Sequence, residues 1–166
     1  MTALAADRIT EKKLPGLKSY PVKDGAKIYA GGLVAVQSDG HAIPAADTAA
    51  LRVVGVATHT IDNTSGADGD KWVDCETGIF KFAASSITQA MIGQMMYVVD
   101  DQTFDDAVGT NGVKAGKLME FISTTLGWIK VDDAGVGAVV AAADATYGQP
   151  EADLINELKT IVNKWL

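Results

Sequence analysis

Few residues in this chain have the chemistry to serve as ligands, bases or nucleophiles. His41 and His59 are the only histidines and Cys75 is the only cysteine. His59 stands in Thr58-His59-Thr60, upstream of Asp62, Asp68 and Asp70. A metal centre drawing on His59, Cys75 and those three aspartates is conceivable. Zinc sites, however, use short fixed ligand spacings, and none occurs here. The sequence reading is of surface histidines. A second carboxylate group, Asp100, Asp101, Asp105 and Asp106, offers the oxygen ligands calcium prefers. It lacks the glycine and terminal glutamate of an EF-hand loop and reads as a solvated acidic loop. Cys75 lies between Asp74 and Glu76, whose charges would raise its pKa and disfavour a reactive thiolate. No G-x-S-x-G, P-loop or dinucleotide fingerprint is present. Gly31-Gly32, Gly66 and Gly69 are turn glycines without a following helix. No catalytic constellation, cofactor site or metal site is visible.

The elements that would position these residues are short strands. Val53 to Phe82 is the organising stretch. Val53 to Ile61 is β-branched and reads as one strand. Asp62 to Asp70 is rich in turn formers and reads as an exposed loop. Trp72 to Thr77 alternates and reads as the antiparallel return, resumed as Ile79 to Phe82 after Gly78. Upstream, Lys18–Val22 and Lys27–Tyr29 are extended segments around Asp24-Gly25. Leu33–Gln37 and His41–Pro44 flank Ser38-Asp39-Gly40, the best hairpin signal in the chain. Ala45–Ala50 is a loop. Downstream, Ser85–Gly93 predicts one helical turn, capped by Ser85 or Ser86 and stopped by Gly93. Met95–Asp100 is a buried strand and Asp101–Gly112 an acidic loop. Gly116–Ser123 and Trp128–Val131 form a closing pair. The fold class expected is mainly β: a small antiparallel β-barrel or sandwich with an extended N-terminal arm and a C-terminal amphipathic helix.

Four segments follow: an arm at 1–17, a β-rich domain at 18–132, an Ala/Gly-rich linker at 133–149 and a helix at 150–166. The arm has no helical or strand period, and Pro15-Gly16 breaks any helix. It also lacks the apolar core of a secretory signal. In the last segment Leu154, Leu158, Ile161 and Trp165 repeat at 4-3-4 spacing, broadened by Ile155, Val162 and Leu166. Pro150 and early acids suit a helix start. The stripe is expected to associate with copies of itself, three being favoured, with packing on its own β domain as the competing arrangement.

Charge narrows the partners. The chain carries 14 basic and 21 acidic side chains, a net of −7. Residues 1–27 hold six basic and three acidic residues, a net of +3, which leaves −10 on residues 28–166. An acidic body is a poor ligand for phosphate backbones, so nucleic acid is not expected as a partner. No apolar run is long enough to span a bilayer, so neither is a membrane. A single cysteine precludes an intramolecular disulfide.

The order of segments carries a resemblance. The arm with Ala5-Ala6-Asp7-Arg8 leads to Tyr20-Pro21-Val22 and then to Gly25-Ala26-Lys27-Ile28-Tyr29-Ala30-Gly31-Gly32-Leu33-Val34. Val54-Gly55-Val56-Ala57, Asp62-Asn63-Thr64 and Gly78-Ile79-Phe80-Lys81-Phe82 follow. Ile92-Gly93, Tyr97-Val98-Val99-Asp100-Asp101 and Trp128-Ile129-Lys130-Val131 complete it. Over residues 1–132 this resembles the capsid decoration (cement, head-stabilising) proteins of tailed phages and prophages. The resemblance implies a non-enzymatic β module on the capsid surface of a virion, made in the host cytoplasm, with the major capsid protein as partner. The expected shell contacts are Arg8, Lys12, Lys13, Leu14 and Leu17 in the arm. The runner-up is a β-module of a phage tail or fibre directed at a host surface, and an uncharacterised enzyme is third.

Overall fold

The computed structural model describes residues 16–132. They form twelve strands: β1 (Leu17–Pro21), β2 (Lys27–Ile28), β3 (Leu33–Val36), β4 (Ala42–Pro44), β5 (Arg52–Ala57), β6 (Ile61–Asp62), β7 (Trp72–Glu76), β8 (Gly78–Ala84), β9 (Met95–Val98), β10 (Thr103–Asp105), β11 (Lys114–Ser123) and β12 (Leu126–Val131). One 3-10 turn, Gln89–Met91, precedes β9. The mainly β expectation holds. The helix at 150–166, the linker at 133–149 and nearly all of the arm lie outside the described residues. Leu17, assigned to the arm from sequence, is the first residue of β1, where it pairs with Glu76.

Two sheets share the work. The first runs in the order β1-β7-β5-β3-β4, and the second is a closed barrel in the order β10-β8-β12-β11-β9. The small pair β2-β6 stands apart. Between the two ends of the first sheet, Val22 bridges Ala42 in parallel. The Asp39-Gly40 hairpin forms as expected, with Val36 opposite Ala42. So does the pairing of the organising stretch, in which Val56 faces Glu76 and Ala57 faces Cys75.

Strands β3 and β5 are buried on both faces, which explains their unbroken apolar runs. Val34, Val36 and Val54 pack inside the first sheet with Val22, Val73 and Cys75. Leu33, Ala35, Val53 and Val56 point the other way and join Phe82, Met96, Phe104, Leu118 and Ile129 of the barrel in one core. At Gly55 the backbone of β7 comes so close that a Cβ would lie 2.7 Å from the carbonyl of Glu76. Gly116 does the same for the barrel, where a Cβ would strike the carbonyl of Lys130 beside the β11–β9 bulge. Both are places where only glycine lets strands approach this closely.

Three expectations need correction. The stretch 53–61 is not one strand: β5 ends at Ala57, and β6 leaves to pair with β2. Thr58 is held at the exit by its hydroxyl donating to the carbonyl of Asp74 at 3.0 Å. The acidic stretch 101–112 is not all loop. Thr103–Asp105 is a strand whose Phe104 is fully buried, and it runs parallel to β8 and antiparallel to β9. That parallel pairing closes the barrel, so the barrel is mixed and not purely antiparallel. A three-residue strand with one apolar side chain has no alternation to read. Finally, the turn after β8 is capped neither by Ser85 nor by Ser86. Thr88 precedes it in extended conformation, and its N–H donates to Met91 Sδ at 3.4 Å. Gly93, at φ +86°, does follow the turn and stop it.

Candidate functional site

The one cluster of metal-ligating side chains among the described residues is Asp39, His41 and Asp68, one ligand atom from each lying within 4.8 Å of the others. The β3–β4 hairpin supplies Asp39 and His41, and the β6–β7 loop supplies Asp68. Sequence spacing did not single out this trio. It paired His59 with Cys75 and the loop aspartates, whereas His59 is exposed, bonded to the Thr58 hydroxyl at 3.0 Å, and Cys75 is fully buried.

The trio already has a cation. Lys23 Nζ lies 2.8 Å from Asp68 Oδ2 and 3.3 Å from Asp39 Oδ2. Asp68 also accepts the backbone N–H of Asp24 at 2.8 Å. The ammonium and that N–H hold the Asp68 carboxyl down at about 2. Asp39 is held below its ordinary value by the His41 N–H first and Lys23 after it. Lys23 is raised by the same two carboxylates. A metal ion would have to displace this lysine, so the cluster is best described as an ion-pair clasp joining three chain segments. His41 Nδ1 lies 3.3 Å from Asp39 Oδ1 without a hydrogen-bonding geometry.

Beside the clasp, the loop expected to be exposed has a buried anchor. Asn63 is fully buried, and its Nδ2 lies 3.2, 3.1 and 2.9 Å from the carbonyls of Val22, Lys23 and Ala67. Its neighbour Asp62 accepts from the Thr64 hydroxyl at 2.6 Å and pairs with Lys27 at 3.0 Å, which together pull its carboxyl well below the usual range. These bonds shape the loop from within. Nothing in the sequence distinguishes Asn63 from the turn formers around it.

Cys75 is pushed up to about 12, chiefly by burial and secondarily by Asp74. The sequence argument had the direction right but named the lesser cause. Cys75 is an interior side chain of the first sheet, packed with Val22, Val34 and Val73.

The barrel carries a different surface. On its outer side Lys117 pairs across to Lys130 and Lys130 to Ile79, while Glu120 pairs to Trp128 and Trp128 to Lys81. Lys81 Nζ stands 6.0 Å from the centre of the Trp128 ring. Ile79 and Met119 are exposed around them. Asp100 and Asp101 lie on the β9–β10 connection, Asp105 ends β10 and Asp106 follows it. Asp101 is raised by partial burial and by Asp100, and Asp106 by sharing a hydrogen bond with Asp105.

Of the residues expected to contact a partner, Arg8, Lys12, Lys13 and Leu14 lie outside the described residues, as do Leu154, Leu158, Ile161 and Trp165. Leu17 is exposed at the start of β1, an end strand of the first sheet. No helix among the described residues is long and apolar enough to cross a membrane. No known protein family and no curated protein matches this sequence.

Proposed function

We propose that this chain is a non-enzymatic structural protein that binds the exterior of an assembled phage capsid and stabilises it. The observation that carries the reading is the entry into β1. The basic N-terminal segment leads directly into an end strand whose Leu17, Lys18 and Ser19 are exposed. An arm that enters a sheet at its rim can lie along a second surface without disturbing the core. The arm's Arg8, Lys12 and Lys13 then meet an acidic shell and Leu14 and Leu17 an apolar one, while β1 stays fixed on β7 through its register and the Ser19–Asp74 hydrogen bond. The order of segments over residues 1–132, which resembles decoration proteins, supplies the identity of that shell. Its major capsid protein is the partner, and the C-terminal stripe adds contacts between copies.

The experiment is co-sedimentation with emptied phage heads. Reversing Arg8, Lys12 and Lys13 to Glu should abolish binding while leaving the thermal melt of the β domain unchanged. Undiminished binding by this variant would exclude the arm as anchor. Binding to host cells in place of heads would favour a tail or fibre module.

A further inference from the structure

We propose that the outer face of β8, β12 and β11 docks onto the acidic segment from Asp100 to Asp106, which spans the β9–β10 loop and β10, of a second copy of this chain. This inference stands apart from capsid binding and concerns a different surface.

The face is costly to leave bare. Lys117 and Lys130 are directly opposite one another on adjacent strands, and like charges in that relation destabilise a sheet. Both are exposed. The nearest carboxylate to Lys130 is Asp132 at 3.9 Å, and among the described residues Lys81 and Lys117 have no ion-pair partner. Around these cations lie Ile79, Met119, the half-buried Trp128 and one exposed carboxylate, Glu120. A ring with cations about it, bordered by apolar side chains, is the composition of a binding face.

The chain itself presents the complementary surface. Asp100, Asp101, Asp105 and Asp106 make no ion pair with any described residue, and the exposed Val99 and Val108 flank them. Four carboxylates with apolar neighbours match a face that holds three lysines, one glutamate (Glu120) and apolar neighbours, and so keeps a positive balance. Each like-charged group is strained alone and relieved by the other.

Topology says how copies would meet. In the closed order β10-β8-β12-β11-β9, the basic face centres on β12. The acids follow β9 and β10, the two strands farthest from β12 around the ring. Patches on opposite arcs do not both meet in one two-fold pair. They join head to tail, and such contacts build rings when the rotation closes.

Sedimentation velocity on the full chain tests this. Wild type should associate at tens of micromolar in low salt and dissociate as salt rises. The Lys81→Glu/Lys117→Glu variant should associate at least about tenfold more weakly, as should Asp101→Lys/Asp106→Lys. Mixing the two should restore association, because each then carries the surface the other lacks. The Leu158→Asp/Ile161→Asp variant should still associate. A monomeric wild type would overturn the proposal. So would association that ignores both charge reversals, or that is lost only in the Leu158→Asp/Ile161→Asp variant. The lysine variant is fully on the surface, so an unchanged melt shows that it is folded. Head binding by these variants reads the arm separately.

Discussion

Residues 16–77 and 78–132 treat charge in opposite ways. In the first region Lys23 is held by Asp39 and Asp68, Lys27 by Asp62, and Lys71 reaches the carbonyl of Asp62. In the barrel, Lys81 and Lys117 have no ion-pair partner among the described residues, and the aspartates stand in two like-charged pairs, Asp100 with Asp101 and Asp105 with Asp106. The difference teaches where each region does its work. The first spends its charges on tying together loops that have little apolar surface to bury. The barrel is already closed by its strands and core, and its exposed lysines take no part in that closure. What unites them is the shared core through Leu33, Val56, Phe104 and Ile129.

The largest effect should come from breaking that shared core. Phe104→Ala removes a fully buried ring from the strand that closes the barrel and should cost about 3–5 kcal/mol. Because the core includes β3 and β5, urea unfolding should remain a single transition followed equally by probes in both regions. Two separated transitions would break the comparison by showing that the regions are independent.

Next is the loop anchor. Asn63→Ala leaves the carbonyls of Val22, Lys23 and Ala67 without their buried donor and should cost about 2–3 kcal/mol. Asn63→Asp should be worse, since it adds a buried charge facing those same carbonyls. A loss no larger than that of a surface substitution would mean that the loop is held by its ion pairs alone.

A smaller effect should follow Lys23→Met. The side chain keeps its apolar stem and loses the ammonium. The Asp68 carboxyl should then titrate upward from about 2 toward the ordinary 3.8, visible by NMR, with Asp39 following it. An unmoved Asp68 would assign its low value to the Asp24 N–H instead.

The smallest effect sharpens the contrast by acid. Asp39, Asp62 and Asp68 have folded-state values below 3.8, so their stabilisation is present above 3.8 and is lost as pH falls through the depressed values, near 2 for Asp68. Asp101 and Asp106 have values raised above 3.8. Their ionisation opposes folding at neutral pH, and that penalty fades as pH falls through the raised values toward 3.8. The melting point should therefore hold or rise slightly from neutral pH to about pH 4 and decline only below it. Asp106→Asn should reduce the rise, and Asp101→Asn together with it should remove it. A steady decline beginning near neutrality would contradict this assignment of charges.

Local sequence determined the parts of this protein whose physics is local. Turn residues placed the Asp39-Gly40 hairpin, β-branched runs marked β3 and β5, and alternation marked β7. Each depends on neighbours within a few positions. Tertiary structure decided the rest, because the partners are far apart along the chain. Lys23 meets Asp68 across 45 positions and Asp39 across 16. Asn63 looks like any turn former until the carbonyls of Val22 and Lys23 close over it. Phe104 looks like one aromatic in an acidic loop until β8 and β9 take it between them. Whether a charged side chain is paired or left to face another molecule is likewise set by which strands become neighbours, and for the barrel that was settled by a three-residue strand with no period of its own.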